Sequence, residues 1–428
     1  MVIHAVKPGD NLWNISRQYG VPLERIIRAN EIDNPALIIP GQSLVIPAAT
    51  LIHIIRPGDS LWLIAQQYGT TVSAIVEANN IQNPALIYPG QCLMIPAESD
   101  RLDTIEVNAY IEPSGREDEA QIVRQIASYL TYISIFSYRV RTDGTLIPVN
   151  DTEIINTARQ NNVAPLMVIT NFAGGTFSSE LVHALLANEN IQSALISNVV
   201  RILKSKRYSG VNVDFERVFP DDRELYNQFL RKFKTRLNNE GFIFTTALAP
   251  KYSAEVTGPW YTAHDYPAHG SIVDFTVLMT YEWGWSGGPP MPVAPLNQVK
   301  RVLDYALSVI PANKIMMGIP LYGYDWTLPY VRGGPYAVTL SPKAAVGLAQ
   351  KYRTAIQYDN VSQSPYYTYF DTAGKEHIVW FEDARSVKAK YELVSRLGVR
   401  GVSYWVLGRP FPQNWIVLED LFKIKKVV

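Results

Sequence analysis

Gly210-Val211-Asn212-Val213-Asp214-Phe215-Glu216 has the texture of a buried strand, yet every second side chain is polar. Strand side chains alternate faces, so Asn212, Asp214 and Glu216 share one face and Val211, Val213 and Phe215 the other. A parallel strand covered on both sides should be almost wholly apolar. Two carboxylates side by side in such a strand are costly unless they are used or paired. Their mutual repulsion raises the pKa of one of them, as a general acid working near neutral pH requires.

The surrounding chain has 428 residues, enough for two or three domains with substantial cores. A hydrophobic fraction of 47% with 18% charged residues fits an ordinary globular protein. The formal net charge is zero, which argues against nucleic acid or an anionic membrane as main partner. No apolar run approaches the length of a membrane span, so no membrane insertion is expected. Cys92 is the sole cysteine, so no internal disulfide can form; it reads as a small buried residue. The six histidines show no ligand spacing, and neither metal nor cofactor is expected. The 25 tyrosines and nine tryptophans include candidate platforms for sugar rings, although core packing accounts for most of them.

Residues 2–47 align with 51–96 at a shift of 49, with 26 of 46 positions identical, which marks an internal duplication. His4, Pro8-Gly9-Asp10, Leu12-Trp13 and Asn34-Pro35-Ala36-Leu37-Ile38 recur as His53, Pro57-Gly58-Asp59, Leu61-Trp62 and Asn83-Pro84-Ala85-Leu86-Ile87. Each unit reads strand, helix, helix, strand. Asp10 or Asn11 can cap the first helix, and Gly20 ends it. The Gly-Asp-x-Leu-Trp and Asn-Pro…Pro-Gly-Gln stretches make both units, 1–48 and 49–97, resemble the LysM module. That family binds glycans containing N-acetylglucosamine in a groove between two loops. The resemblance implies glycan contacts at Gly9, Asp10, Leu12, Pro35, Leu37 and Ile38, and at Gly58, Asp59, Leu61, Pro84, Leu86 and Ile87. Trp13 and Trp62 fall within helices and are expected only to hold the fold.

From about Ile105 strand-like runs alternate with amphipathic helical stretches, the pattern of β-α units and a parallel sheet. Eight strands are predicted: 105–111, 132–138, 164–170, 210–215, 243–248, 275–280, 314–320 and 401–406. Helical candidates include 117–129, 191–204 and 222–238. The fold class is α/β, a (β/α)8 barrel over residues 98–428. That span exceeds the about 250 residues of a typical barrel. The excess falls at 323–381, rich in Tyr, Pro and Gly, read as a small α+β insertion.

In such a barrel, catalytic groups sit at the C-terminal ends of strands. Asp214 and Glu216 end the fourth strand, Met279 and Tyr281 the sixth, before Glu282-Trp283, and Tyr404-Trp405 the eighth. An acid, a second carboxylate, a phenol and an indole converging on one pocket suit cleavage of a glycosidic bond. The bland alternative is a buried structural pair served by Arg217 or Arg139. Tyr110, Phe136, Tyr138, Asn171, Tyr322 and Trp326 fall near strand ends and either line the cleft or pack the core.

Residues 105–408 resemble glycoside hydrolase family 18. The family pattern Asp-Gly-x-Asp-x-Asp-x-Glu stands here as Ser209-Gly210-Val211-Asn212-Val213-Asp214-Phe215-Glu216, with two acids replaced. Met-x-Tyr-Asp appears as Met279-Thr280-Tyr281-Glu282, and Ser403-Tyr404-Trp405 is intact. The resemblance implies substrate-assisted cleavage with retention, in which the substrate's 2-acetamido oxygen is the nucleophile. Glu216 is then the acid and base, Asp214 and Tyr281 hold the acetamide, and Trp405 floors the pocket. Asn212 is expected to hydrogen-bond Asp214. Glu282 is expected to reach a neighbouring sugar or to shape its loop; Met279, Tyr110, Asn171 and Tyr322 complete the candidate substrate-binding set.

Tandem LysM modules on such a barrel are similar to the spore-cortex-lytic glucosaminidases of endospore-forming bacteria. That group implies a partner glycan of peptidoglycan cortex, cut between N-acetylglucosamine and N-acetylmuramic acid or muramic lactam during germination. It also implies deposition at the coat–cortex boundary from the mother cell, in line with the lack of a leader-like stretch before Val2. A chitinase would use the same residues. A glycan-binding coat protein without activity would be expected to have lost Glu216.

Overall fold

The computed structural model describes residues 1–47, 51–79, 81–95, 103–113 and 118–428. The expected module boundaries at 48, 49, 97 and 98, and the helix start at Glu117, lie outside the described residues.

Eight parallel strands close on themselves: β1 Thr104–Ile111, β2 Tyr132–Val140, β3 Ala164–Thr170, β4 Gly210–Asp214, β5 Ile243–Leu248, β6 Phe275–Leu278, β7 Ile315–Pro320 and β8 Gly401–Trp405. Each pairs with the next, and β8 returns to β1 with Gly401 opposite Glu106. Val211, Val213 and Phe215 are wholly buried on the outer face of β4. There Phe215 stacks on Tyr226 and Phe229 of the helix Arg223–Asn238, at 6.0 and 6.1 Å between ring centroids. Burial of one such phenyl ring contributes about 1.5–3 kcal/mol. The lumen is filled by Tyr132, Leu166, Val168, Phe275, Val277 and Met316, so the barrel is a packed core with its opening at the strand ends. Gly210 starts β4 where the neighbouring strand lies flush: a Cβ there would stand 2.2 Å from the Ile243 carbonyl oxygen.

The insertion between β7 and β8 is a five-stranded antiparallel sheet in the order 338–340, 323–327, 376–380, 364–370, 357–359, with the helix Pro342–Lys351 packed on it. Among the described residues no helix is long and apolar enough to cross a membrane.

Each N-terminal module has two helices and a two-stranded antiparallel sheet. In the first these are Val2–Ala5, Leu12–Tyr19, Leu23–Asn30 and Ser43–Ile46; in the second, Leu51–Ile54, Leu61–Tyr68, Val72–Ala78 and Cys92–Ile95. Asn11 and Ser60 cap the first helices by accepting the N–H of Asn14 and Leu63, and Gly20 and Gly69 end them at φ near 64°. Asp10 has a different task. Its carboxylate accepts the Lys7 backbone N–H at 2.7 Å and meets His4 Nε2 at 2.9 Å, and Asp59 repeats this with Arg56 and His53.

Two expectations are overturned. Cys92 is exposed, because the strand alternation puts Leu93 inside and Cys92 outside, opposite Ile54. Trp13 and Trp62 do not hold the fold: they stand 60% and 59% exposed on the outer helix faces, and Arg17 lies over the Trp13 ring at 5.1 Å.

The first module is docked on the rest of the chain. Val45 joins the barrel's core cluster and Ile39 that of the insertion. The Pro40 carbonyl accepts the Ile356 N–H, Gln350 donates to the Leu37 carbonyl at 2.7 Å, and the Met1 ammonium pairs with Asp420 at 2.9 Å. At Gly41 a Cβ would sit 1.7 Å from the Ile356 carbonyl oxygen, so only glycine permits this approach. The equivalent positions of the second module are open: Tyr88 and Met94 are 58% and 48% exposed, and none of the described residues lies within 4 Å of a Cβ on Gly90.

Candidate active site

β4 carries Asn212 and Asp214 into the lumen, and the chain leaves the strand at Phe215. Glu216 therefore stands one step beyond the strand end, half-buried at the mouth. Two side chains that flank this exit fix it. The Asn171 amide accepts the Glu216 N–H at 3.0 Å and donates to the Glu216 carbonyl at 2.8 Å. His264 accepts the Ala249 N–H at Nδ1, which leaves Nε2–H to donate to the Phe215 carbonyl at 2.9 Å. Burial lowers the His264 pKa to about 4, so the ring is neutral in this role. The sequence reading missed His264, since a lone histidine in a loop carries no motif. It placed Asn171 against substrate, whereas Asn171 is fully buried and spends its amide on backbone groups, also donating to the Ser178 carbonyl.

Asp214 is buried, and its Oδ1 has no hydrogen-bond partner among the described residues. The expected Asn212–Asp214 bond is absent. Asn212 donates instead to Thr245 Oγ1 at 2.8 Å and accepts from the Tyr110 hydroxyl at 3.2 Å, because neighbouring lumen side chains reach it across β1 and β5. Neither Arg217 nor Arg139 makes an ion pair with the two acids, so the structural-pair alternative lacks its counter-charge among the described residues. Burial without a cation holds Asp214 well above the ordinary carboxylate range. Glu216 is raised as well, first by desolvation and then by the negative charges of Asp214 and Glu282.

Tyr281 is buried beside this pair, and its phenol is raised by burial and by Tyr110, Asp214 and Glu216. Gly318 on β7 makes room for it: a Cβ there would lie 2.8 Å from the Tyr281 ring. Met279 is half-buried against the barrel core. Trp405 is also half-buried and meets the edges of Tyr110 and Phe136 at 5.5 and 4.9 Å. Tyr322 and Tyr324 both donate their hydroxyls to Glu282, so Glu282 ties the β6 loop to the insertion. Trp326 continues that tie by donating to the Gly288 carbonyl at 2.9 Å, and it is buried. Tyr138 faces away from the lumen, where it donates to Asp151. The arrangement assembles a carboxyl whose pKa is raised by its surroundings, a second carboxyl with a buried oxygen unpartnered among the described residues, a phenol and an indole face. These are the parts of acid-assisted glycoside cleavage.

The glycosyl hydrolases family 18 model matches residues 106–409, and the LysM model matches 4–47 and 53–96. The chain belongs to glycosyl hydrolase family 18. It is a glycoside hydrolase, and the matched span includes Asp214, Glu216 and Tyr281. Within family 18 it is 51% identical over 429 residues to the cortical fragment-lytic enzyme of Bacillus subtilis (strain 168), covering 100% of this chain and 99% of the relative. A crystal structure of the Bacillus megaterium QM B1551 spore cortex-lytic enzyme SleL superposes with a TM-score of 0.85 at 43% identity, covering 100% of this chain and 99% of that one. A chitinase from Chromobacterium violaceum ATCC 12472 aligns with 74% of this chain and 98% of its own, at 27% identity and a TM-score of 0.68.

In the LysM modules the structure divides the carried-over positions. Leu12 and Leu61 point into the module cores, 3% and 4% exposed, so any sugar contact there is limited to backbone. Asp10 and Asp59 are spent on the turn. Gly9, Gly58, Pro35 and Pro84 are exposed, and Ile38 and Ile87 pack partly against the cores. Leu37 is half-buried beside the insertion, while Leu86 is 55% exposed.

Proposed function

We propose that this chain is a peptidoglycan hydrolase of the spore cortex, a β-N-acetylglucosaminidase that cuts the bond from N-acetylglucosamine to N-acetylmuramic acid or muramic lactam. Full-length likeness to cortical fragment-lytic enzymes, with a pair of carboxyls, a phenol and an indole gathered at the barrel mouth, carries this reading. The acetamide oxygen of the sugar before the cut attacks its own anomeric carbon while Glu216 protonates the departing oxygen. Asp214, whose Oδ1 lacks a partner among the described residues, receives the acetamide N–H as charge develops, and Tyr281 donates to its carbonyl. Glu216 then takes a proton from water, which opens the oxazolinium with net retention. The LysM modules hold the chain on insoluble glycan, and the enzyme works at the spore wall.

Incubation with purified cortex fragments and, separately, with chitin oligomers tests the reading. New N-acetylglucosamine reducing ends from cortex support it. The likeness to a chitinase makes chitin the competing substrate, and release from chitin alone would overturn the cortex assignment.

A further inference from the structure

Arg217 directly follows the proposed acid Glu216, and its backbone sits at φ 55°, a region that non-glycine residues occupy when the surroundings compel it. Ser179 Oγ fastens it by donating to the Arg217 carbonyl. The guanidinium reaches from Thr176, in the loop after β3, where Nη1 donates to Oγ1 at 3.2 Å, to Trp260, in the loop after β5, where it lies 5.5 Å from the ring centroid. It thus spans the two loops that flank β4 at the barrel mouth, and Trp260 is 41% exposed there. Its Nε–H is buried and donates to nothing among the described residues. No carboxylate among the described residues lies within ion-pair distance of it, although exposed Glu180 feels its charge from farther off. A guanidinium offers five N–H donors in a planar fork that matches a carboxylate, and this one uses few of them.

The substrate chemistry supplies a partner. In the bond assigned above, the leaving oxygen is O4 of muramic acid, and the lactyl ether stands on the adjacent O3. Its carboxylate therefore lies within a few ångströms of the atom that Glu216 protonates, and Arg217 is the next residue along the chain. N-acetylglucosamine has a neutral hydroxyl at O3, and in the lactam, as wherever a stem peptide is attached, the carboxyl is consumed in an amide. We propose that Arg217 is a specificity residue that binds the free carboxylate of peptide-free muramic acid on the leaving-group side of the cut and so favours such acidic chains over neutral N-acetylglucosamine polymers. This rests on the peptidoglycan reading above.

The test uses the full chain with three soluble substrates of equal length: alternating N-acetylglucosamine–N-acetylmuramic acid oligomers freed of peptide, the same oligomers with the muramic carboxyl converted to carboxamide, and chitin oligomers. Arg217→Gln should lower kcat/KM on the carboxylate oligomer about 10- to 100-fold, the range of a charged hydrogen-bonded contact, and leave the other two within about twofold. Arg217→Lys should recover part of the loss, and added salt should erode the wild-type preference. Equal loss on all three substrates, with unchanged thermal melting, would make Arg217 a prop for the Glu216 backbone and overturn the proposal. No loss on any substrate would overturn it as well. Wild-type cleavage of chitin oligomers alone would instead bring down the peptidoglycan reading, a result distinct from either.

Discussion

Asn171 holds the backbone of Glu216 from both sides, accepting its N–H at 3.0 Å and donating to its carbonyl at 2.8 Å. The proposed acid is therefore aimed by a residue on a neighbouring strand end. Its own strand has already ended. Asn171→Ala should lower kcat about 10- to 100-fold with little change in KM, since a small misplacement of a catalytic group costs that much. Asn171→Asp keeps the acceptor and loses the donor, and should fall between. A rise in KM with kcat intact would show that Asn171 touches substrate after all.

Glu216→Gln should abolish turnover of natural glycans, by at least about 100-fold, and leave binding to insoluble cortex unchanged. Reducing-end release and sedimentation with glycan measure the two. Unchanged turnover would mean that another group supplies the proton.

Burial raises Asp214 and Glu216, and the charge of Asp214 raises Glu216 further, so the alkaline limb of kcat/KM should lie well above the ordinary carboxylate range. Glu282 adds negative charge to Glu216. Removing it by Glu282→Gln makes ionisation easier, so the alkaline limb should move to lower pH. Asn212→Asp adds charge beside Asp214 and should move the limb to higher pH. Rate profiles of both variants check the signs, and movement in one common direction would defeat the electrostatic account.

Buried neutral histidines should make the fold acid-sensitive. His264 and His269 are held by burial to pKa values of about 4 and about 3. The unfolded chain takes up a proton at each near pH 6.5, so stability falls as pH drops from there toward the folded values, by about 1.4 kcal/mol per pH unit for each ring. Thermal melts of the wild type and of His269→Gln between pH 7 and 4.5 test this; the variant should show the shallower decline.

Exposed Trp13 and Trp62 contribute little to packing, so Trp13→Ala and Trp62→Ala should leave the melting temperature within about 2 °C, as surface changes do. If they serve the glycan, retention on insoluble cortex should weaken in the double variant. Full retention would confine binding to the loops.

Strand alternation made the barrel legible. All eight strands lie where apolar runs alternate with helical stretches, and Asp214 stands out because a carboxyl is so costly in a buried strand. Tyr281 and Trp405 stand at predicted strand ends, and the family motifs give them their roles. What escaped the sequence was lateral: Asn212 turns to Tyr110 and Thr245, residues 102 and 33 positions away, and no local pattern encodes such partners. His264 and Asn171 escaped for the same reason. Trp13 was misread because a helix position says nothing about which face meets solvent when the helix is only two turns long.

Val45 and Ile39 of the first repeat sit in hydrophobic clusters shared with the catalytic body. Cutting away residues 1–97 would thus strip side chains from the enzyme's own interior along with the LysM modules. A shortened protein that lost activity would report a damaged scaffold. Excising the second repeat alone, whose matching surface is bare, separates attachment from integrity.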